Sequence, residues 1–174
     1  LNSENNENII VFGNLPYNIS TEILVNWIKD KDKFKCSKKL ILMFQKEVAD
    51  RIIAKTNSKA YGRLTVFSNW KYEIKKEFDI SPNCFFPKPK IFSTLLTFTP
   101  KKKIFRIKNP ENLEKISRIF FNQRRKMIKN PLKQIFKNPK IVIDKLELNQ
   151  NLRPQNLNPL TYFKITEEFE NLIN

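Results

Sequence analysis

Four consecutive residues, Asn14-Leu15-Pro16-Tyr17, combine a side-chain amide, a fixed backbone and an aromatic ring directly after an apolar run at residues 9–13. The Asn14 side chain offers an oxygen that accepts hydrogen bonds. Pro16 fixes its own φ and holds Leu15 in extended conformations, so the nearby carbonyls point in a set direction. Tyr17 offers a flat face for stacking. The segment is therefore suited to hold the exocyclic amine of a nucleobase, and the alternative is an ordinary proline turn after a strand.

The charge of the chain indicates a polyanionic partner, most often nucleic acid. Lys and Arg number 33 against 17 Asp and Glu, which gives a net charge of +16 over 174 residues. Residues 101–140 contain 14 basic and only 2 acidic residues. A lysine-rich genome composition would spread the excess evenly, so this concentration favours a binding surface.

The composition also excludes several classes of site. The two glycines, Gly13 and Gly62, stand alone and cannot form a glycine-rich phosphate loop. There is no histidine, so zinc sites and general bases that need one are excluded, and we expect no metal. Cys36 and Cys84 are typical of free thiols in a reducing compartment. No apolar run reaches the ~18–20 residues of a membrane span, and we expect a cytoplasmic protein.

The first hundred residues predict an α/β fold. Residues 9–13 and 40–44 are apolar throughout, as in buried strands, and a helical pattern follows each of them. Asn18 or Ser20 is placed to cap the first helix, and residues 29–39 are predicted to form a charged loop. This alternation of strand and helix favours a parallel sheet.

The next segment predicts the edge of that sheet. Residues 63–70 fit a helix or a strand, and residues 72–80 alternate as a strand does. Three prolines make residues 81–90 a rigid loop, and a strand at 93–99 completes an antiparallel hairpin. Exposed strand edges would favour self-association between chains.

After residue 101 the pattern becomes helical. Asn109 is placed to cap a helix that begins at Pro110, and Pro131 is expected to end or kink it. The last helix is predicted at 161–172. We therefore predict two domains, residues 1–101 and residues 102–174. The spacing of three basic residues, Arg118, Arg125 and Lys129, predicts that they form a stripe along one helix.

Five segments, in order, resemble the KsgA-type rRNA adenine dimethyltransferases. The segment around Asn14-Leu15-Pro16-Tyr17 resembles the catalytic motif of that family. The others resemble a strand–helix junction, a signature loop, a Phe-x-Pro-x-Pro-Lys loop and a basic helix, and they are Gln45-Lys46-Glu47-Val48, residues 57–64, residues 85–90 and residues 121–126.

The resemblance implies a fold, a reaction and roles for residues. Residues 1–101 would be the later strands of a Rossmann-like S-adenosylmethionine-dependent methyltransferase domain, and residues 102–174 a small all-α domain that binds rRNA. The reaction would transfer methyl groups to N6 of two adjacent adenosines of small-subunit rRNA, in a 30S precursor. Asn14, Leu15, Pro16 and Tyr17 would be catalytic, and Asn14 would also face the cofactor. Tyr17 and Phe85 would stack on the target base. The residues implied to bind RNA are Arg118, Arg124, Arg125, Lys126 and Lys129.

Two departures from the family qualify these expectations. Phe92 stands where the family usually has an acidic residue, so no role is transferred to it. The glycine-rich region that grips S-adenosylmethionine in the family does not occur in this sequence. We therefore expect a fragment, the C-terminal two-thirds of such an enzyme, that is inactive alone.

Several alternatives remain open at this point. The chain could be a non-catalytic RNA-binding factor of ribosome assembly or a relative of transcription factors. It could also be an antibiotic-resistance methyltransferase acting on large-subunit rRNA. Glu47 fits a functional role or a helix-start acid equally. Tyr61 and Arg63 fit loop structure or RNA contacts.

Overall fold

The structure, a computed structural model, describes residues 9–173 and divides them into two compact units. The first unit contains residues 9–53 and 71–103, and the second contains residues 54–70 and 104–173. The predicted division near residue 101 differs from this, because it assigns residues 54–70 to the first part. These residues make their contacts in the helical unit instead, as shown by the hydrogen bond from Tyr61 Oη to the Leu157 carbonyl at 2.8 Å.

A four-stranded mixed sheet forms the centre of the first unit. Its strands, in the spatial order β1-β2-β4-β3, are β1 Ile9–Asn14, β2 Ser37–Gln45, β4 Ser93–Pro100 and β3 Tyr72–Ile80. Among residues 9–173, β1 and β2 are the only strands that pair in parallel, so the prediction of a parallel sheet holds for that pair alone. The predicted antiparallel hairpin at the sheet edge is confirmed by the pairing of β3 with β4.

β1 is an exposed strand, and the prediction that it is buried is wrong for the described residues. Phe12 is 74% exposed, and both Ile9 and Ile10 exceed 40%. Within residues 9–173, β1 pairs only with β2 and occupies one edge of the sheet. An apolar pattern indicates that a strand is suited to burial, but burial also depends on a neighbouring element that packs against it.

Three short helices accompany these strands: α1 Ser20–Lys29, α2 Lys31–Cys36 and α3 Lys46–Ile52. The predicted charged loop therefore contains a helix, because the Asp30 carboxylate accepts from the backbone N–H groups of Asp32 and Lys33, both at 3.0 Å. The apolar core lies between helices and sheet. Its fully buried side chains include Leu24, Ile28, Leu40, Phe44, Tyr72, Leu96 and Phe98.

The second unit is helical. Its helices are α4 Arg63–Lys71, α5 Pro110–Asn122, α6 Lys129–Ile135, α7 Pro139–Lys145 and α8 Pro159–Ile173. The rings of Phe120 and Tyr162, both buried, meet edge to face at 5.3 Å in its core. No helix within residues 9–173 is both long and apolar enough to cross a membrane.

α5 begins as predicted but ends earlier. Asn109 Oδ1 accepts from the backbone N–H of Glu111 at 3.0 Å, and Pro110 is the first helical residue. The helix ends at Asn122, where a turn with a 2.8 Å bond from Lys126 N to the Gln123 carbonyl replaces it. Pro131 instead lies near the start of α6, where proline is better tolerated than in a helix interior.

Candidate active site

Two segments far apart in the sequence line one cavity of about 330 Å³ in the first unit. The first segment is the motif that follows β1, and the second is the proline loop before β4. The lining residues are Asn14, Leu15, Pro16, Tyr17, Phe85, Phe86, Pro87 and Pro89. The volume lies in the range of ~300–1,000 Å³ that is usual for small-molecule sites. The motif and the loop, each predicted to hold a nucleobase, therefore face the same space.

Backbone and side-chain hydrogen bonds fix the motif between β1 and α1. The Pro16 carbonyl accepts from the N–H of Ile19 at 3.2 Å. The hydroxyl of Ser20, which is buried at the start of α1, donates to the Tyr17 carbonyl at 3.3 Å. Neither predicted cap residue, Asn18 or Ser20, caps the helix through its side chain. Ser20 instead ties the helix start to the motif.

A hydrogen bond orients the Tyr17 ring. The Tyr17 hydroxyl and the Ser93 hydroxyl lie 2.6 Å apart, and Ser93 is fully buried at the first position of β4. The ring is therefore anchored at its polar end, beside the cavity that Tyr17 lines. The phenol has a structural role here, in addition to the stacking role predicted for the ring.

We expect this anchor to contribute about 1 kcal/mol, the usual net value for a hydrogen bond in a folded protein. Tyr17→Phe and Ser93→Ala should each lower the free energy of unfolding. The double variant should lose less than the sum of the two, because both changes remove the same bond. Urea denaturation of the four proteins measures this coupling, and strictly additive losses would show that the bond contributes nothing.

The opposite face of β4 carries an ionic cluster beside the site. Successive side chains of a strand point to opposite faces, so Thr94 faces away from Ser93. Its hydroxyl donates to Asp79 at 2.6 Å, and Asp79 also accepts from Lys76 at 2.8 Å and Lys46 at 3.4 Å. Hydrogen bonds from Lys76 and Thr94 lower the pKa of Asp79 to about 2. The start of β4 is thus held on both faces.

Gly13 allows the motif to lie close to the sheet. A Cβ built at this position would lie 2.7 Å from Leu42 Cδ2 and 3.2 Å from Leu15 Cδ2. Any larger residue would therefore displace the Leu42 side chain and press on Leu15, a lining residue of the cavity. The isolated glycine is explained by this close approach and not by a phosphate loop.

The proline loop contributes two aromatic rings to the cavity, of which the sequence analysis identified one. Phe85 is partly buried, whereas Phe86 is completely exposed. The position of Phe86 could have indicated it, because it adjoins Phe85 within the same proline-containing loop.

The junction residues after β2 lie outside this cavity lining. Gln45 is the last residue of β2. Glu47 lies in the first turn of α3, where its carboxylate pairs with Arg51 one turn along the exposed face. This pairing agrees with the interpretation of Glu47 as a helix-start acid.

The predicted RNA-binding bases lie in the second unit but not on one helix. Arg118 is exposed on α5, Arg125 and Lys126 are exposed in the turn that follows it, and Lys129 begins α6. The predicted stripe at helical spacing is therefore wrong, because α5 ends at Asn122.

Arg124 differs from its neighbours because its donors are directed into the protein. Its Nη2 donates to the carbonyls of Ser58 and Lys59 at 3.3 and 2.6 Å, and its Nε donates to Gln155 Oε1 at 3.1 Å. The side chain thereby joins the end of α5 to the signature loop at residues 57–64.

The other loop residues left open by the sequence also make internal contacts. Tyr61 is 1% exposed, and its ring lies 6.0 Å from the ring of Phe121. Burial raises the pKa of its hydroxyl, which donates to the Leu157 carbonyl. Arg63 pairs with Glu114 at 3.5 Å. These contacts support loop structure as the role of both residues.

Comparisons with known proteins agree with the sequence motifs. The model of a family described as "Ribosomal RNA adenine dimethylase" matches residues 2–171. The ribosomal RNA small subunit methyltransferase A of Pelagibacter ubique HTCC1062 is 56% identical over 166 residues, which are 95% of this chain and 63% of the relative. The protein of the same name from Wolbachia pipientis wMel is 48% identical over 147 residues, 84% of this chain and 50% of the relative. This chain therefore spans one half to less than two-thirds of these relatives.

Two solved structures support the fold. A dimethyladenosine transferase from Plasmodium falciparum superposes with a TM-score of 0.81 at 24% identity, over 93% of this chain and 66% of that one. The 23S rRNA methyltransferase ErmE superposes with a TM-score of 0.63 at 18% identity, over 94% and 66%. The predicted class, a partial Rossmann-like α/β sheet with a small all-α part, is confirmed. By its match to the family model along almost its whole length, the chain belongs to the ribosomal RNA adenine dimethylase family.

Proposed function

We propose that this chain carries the acceptor half of an rRNA adenine dimethyltransferase and binds the adenosines that are methylated at N6. The observation that carries the proposal is the shared cavity, whose walls are the Asn14–Tyr17 motif and the Phe85–Pro89 loop. The target class is small-subunit rRNA, in keeping with the names of the relatives.

The acceptor amine is held by two oxygens. The exocyclic N6 nitrogen of adenine is a weak nucleophile because its lone pair is delocalised into the ring. Asn14 Oδ1 accepts one N–H, and a carbonyl of the adjoining Leu15–Pro16 segment accepts the other. The Pro16 oxygen uses one lone pair for Ile19 and keeps a second. Two acceptors on one amine favour its pyramidal form, which directs the lone pair outward.

S-adenosylmethionine would be held at the open side of this cavity, where it would supply a methyl group already activated on a sulfonium. Asn14 is exposed at the carboxyl end of β1, where α/β proteins bind their ligands. The contribution of the residues here is positioning, which needs no histidine or carboxylate base. The proton leaves only after the nitrogen has become alkylated and acidic.

The base has to leave its duplex or come from a loop to reach this cavity. Tyr17 stacks on one face of the adenine, with its ring set by Ser93, and Phe85 stacks on the other. Stacking on aromatic side chains contributes ~1–3 kcal/mol per base and is independent of base identity. Selection for adenine therefore falls to the amine acceptors.

We assign phosphate contacts to Arg118, Arg125 and Lys126, which are exposed, and to Lys129, which is partly buried at the start of α6. Arg124 has a different role, which is to fix the loop at residues 57–64 through its three acceptors. Phosphate binding is therefore assigned to those four side chains and not to Arg124.

Removing two of these charges tests the RNA surface. Arg125→Ala with Lys126→Ala should weaken binding to an rRNA hairpin and lower the slope of log K against log salt by about 0.7–0.9 per lost phosphate contact. A matched pair in the first unit, Lys35→Ala with Lys38→Ala, is the control and should leave the slope nearly unchanged. Equal slopes for the wild type and the Arg125/Lys126 variant would contradict the assignment.

The reaction itself is tested by joining this chain to the part of the Pelagibacter relative that it does not match. That chimaera, incubated with S-adenosylmethionine and unmethylated small ribosomal subunits, is expected to form N6,N6-dimethyladenosine, detected by mass spectrometry of nucleosides. The same assay on this chain alone is expected to give no product. The same incubation with large ribosomal subunits is expected to give no product, and product there would favour the resistance-type alternative.

A non-catalytic assembly role is the second candidate. One observation favours it: the basic residues and the cavity lie on different compact units, so RNA binding would not require the cavity. RNA binding by the chimaera without any methylated product would support this candidate.

A further inference from the structure

We infer that Phe86 forms a second base-binding position beside the cavity, which stacks on the nucleotide adjacent to the target adenosine. The inference rests on the proposed function, because it deepens the account of the same site. It concerns a residue to which the motif resemblance gives no role.

The Phe86 ring lies in solvent at the edge of the cavity. Phe86 is the most exposed large apolar residue of the described chain, at 102% of its reference area, yet it lines the cavity. Burying a phenylalanine is worth about 1.5–3 kcal/mol, so a protein gains nothing in stability from a ring held fully in water. An exposed ring at the mouth of a site is therefore available for a ligand.

The backbone conformation of Phe85 sets the direction of the Phe86 ring relative to the Phe85 ring. Phe85 has extended backbone angles, φ −125° and ψ 148°. Side chains of successive residues in an extended segment point to opposite sides. Phe85 and Phe86 therefore do not present their rings to the same base, and a base stacked on Phe85 leaves the Phe86 ring free.

The loop around Phe86 is basic. Residues 81–92 contain Lys88 and Lys90, both exposed, and no acidic residue. Among residues 9–173, neither lysine forms a salt bridge with a carboxylate. Aromatic rings interleaved with cations are the features that bind single-stranded nucleic acid. A neighbouring nucleotide of the same strand is the occupant that satisfies both ring and charge.

The consequence is a site that reads two consecutive nucleotides. One base enters between Tyr17 and Phe85, and the next stacks on Phe86 with its phosphate near Lys88 or Lys90. Such a platform would keep the strand in place while the first adenosine is exchanged for the second.

The test combines removal of a base with removal of a ring. The probe is a labelled RNA hairpin with two adjacent adenosines in its loop, and binding is measured by fluorescence anisotropy. An abasic nucleotide beside the target should weaken binding to the wild type by about fivefold or more, as should Phe86→Ala with the intact hairpin. Combining the two changes should weaken binding no further, and Phe86→Tyr should restore the wild-type affinity.

The parallel cycle with Phe85 separates this inference from the proposed function. An abasic target nucleotide should couple with Phe85→Ala in the same way. If that coupling is present while the Phe86 losses are additive, the Phe86 position is refuted and the cavity assignment stands. If removal of neither base weakens binding, the proposed function is refuted and the Phe86 position with it. Phe86 makes no contact within the core, so loss of folding in Phe86→Ala, seen by circular dichroism, would also contradict the account.

Discussion

Asn14→Ala is expected to lower the rate of methyl transfer by about 10²–10³-fold in the chimaera described above. Removal of one preorganised hydrogen-bonding group at a reacting centre usually costs this much. In the proposed function the side chain accepts one N–H of the target amine and favours the pyramidal nitrogen, a role that would matter most as the new bond forms. Single-turnover measurements with bound RNA separate this step from binding and release.

Binding should change far less than the rate in this variant. A net hydrogen bond is worth about 0.5–1.5 kcal/mol, so the Kd for a hairpin should rise by less than roughly tenfold. Asn18→Ala provides a matched control, since Asn18 is an exposed asparagine four residues along that lies outside the cavity lining. It should keep its activity. Equal rates for Asn14→Ala and Asn18→Ala would show that the motif is only a turn.

Glu170→Ala is expected to lower the free energy of unfolding by about 3 kcal/mol or more, the largest effect on stability that we predict outside the apolar core. Glu170 lies on α8 with 2% of its surface exposed. Its carboxylate accepts from the N–H groups of Lys108 and Asn109 at 2.8 and 2.9 Å, and from Asn112 Nδ2 at 2.9 Å. Hydrogen bonds to a charged group contribute about 1.5–3 kcal/mol each, and their loss leaves donors without a partner.

The pH dependence gives this prediction a second measurement. Burial disfavours the ionised form of Glu170, but the hydrogen bonds from Asn112, Lys108 and Asn109 outweigh it and lower the pKa below 4.5. The stabilisation is therefore present above pH 4.5 and is lost as the pH falls through the folded-state pKa. In urea denaturation, the free energy of unfolding of Glu170→Gln should therefore fall less than that of the wild type as the pH is lowered through the folded-state pKa of Glu170.

The control for Glu170 lies on the same helix. Glu167→Ala removes a half-exposed carboxylate and should change the free energy of unfolding by about 0.5 kcal/mol or less. Similar losses for Glu167→Ala and Glu170→Ala would contradict the assignment of Glu170 as a buried acceptor. Sequence reasoning assigned Glu170 no role, because its partners are backbone groups about 60 residues earlier in the chain.

Local chemistry accounts for what the sequence predicted correctly. Asn109 and Pro110 define the start of α5 through one hydrogen bond and one fixed φ, so their pattern is decisive. The continuous apolar run of β2 predicts a strand for the same reason. The motif and the proline loop were each recognisable, and the cavity brings them together.

Tertiary partners account for what the sequence did not predict. Burial of β1 depends on an element beside it, which an apolar pattern does not supply. The basic residues after α5 look like one helix by spacing, but a turn at Gln123 interrupts them. Arg124 has the same side chain as Arg125 yet donates to Ser58 and Gln155, which only the folded chain places within its reach.

The central claim is that the cavity recognises the 6-amino group of adenine through Asn14, and one binding measurement tests it directly. The hairpin is prepared with adenosine or with purine riboside, which lacks that amine, at the target position. Anisotropy titrations should show about three- to tenfold weaker binding of the purine hairpin to the wild type and a smaller difference for Asn14→Ala, in which only the main-chain acceptor remains. Equal binding of both hairpins to the wild type, or the same discrimination in Asn14→Ala, would contradict the account.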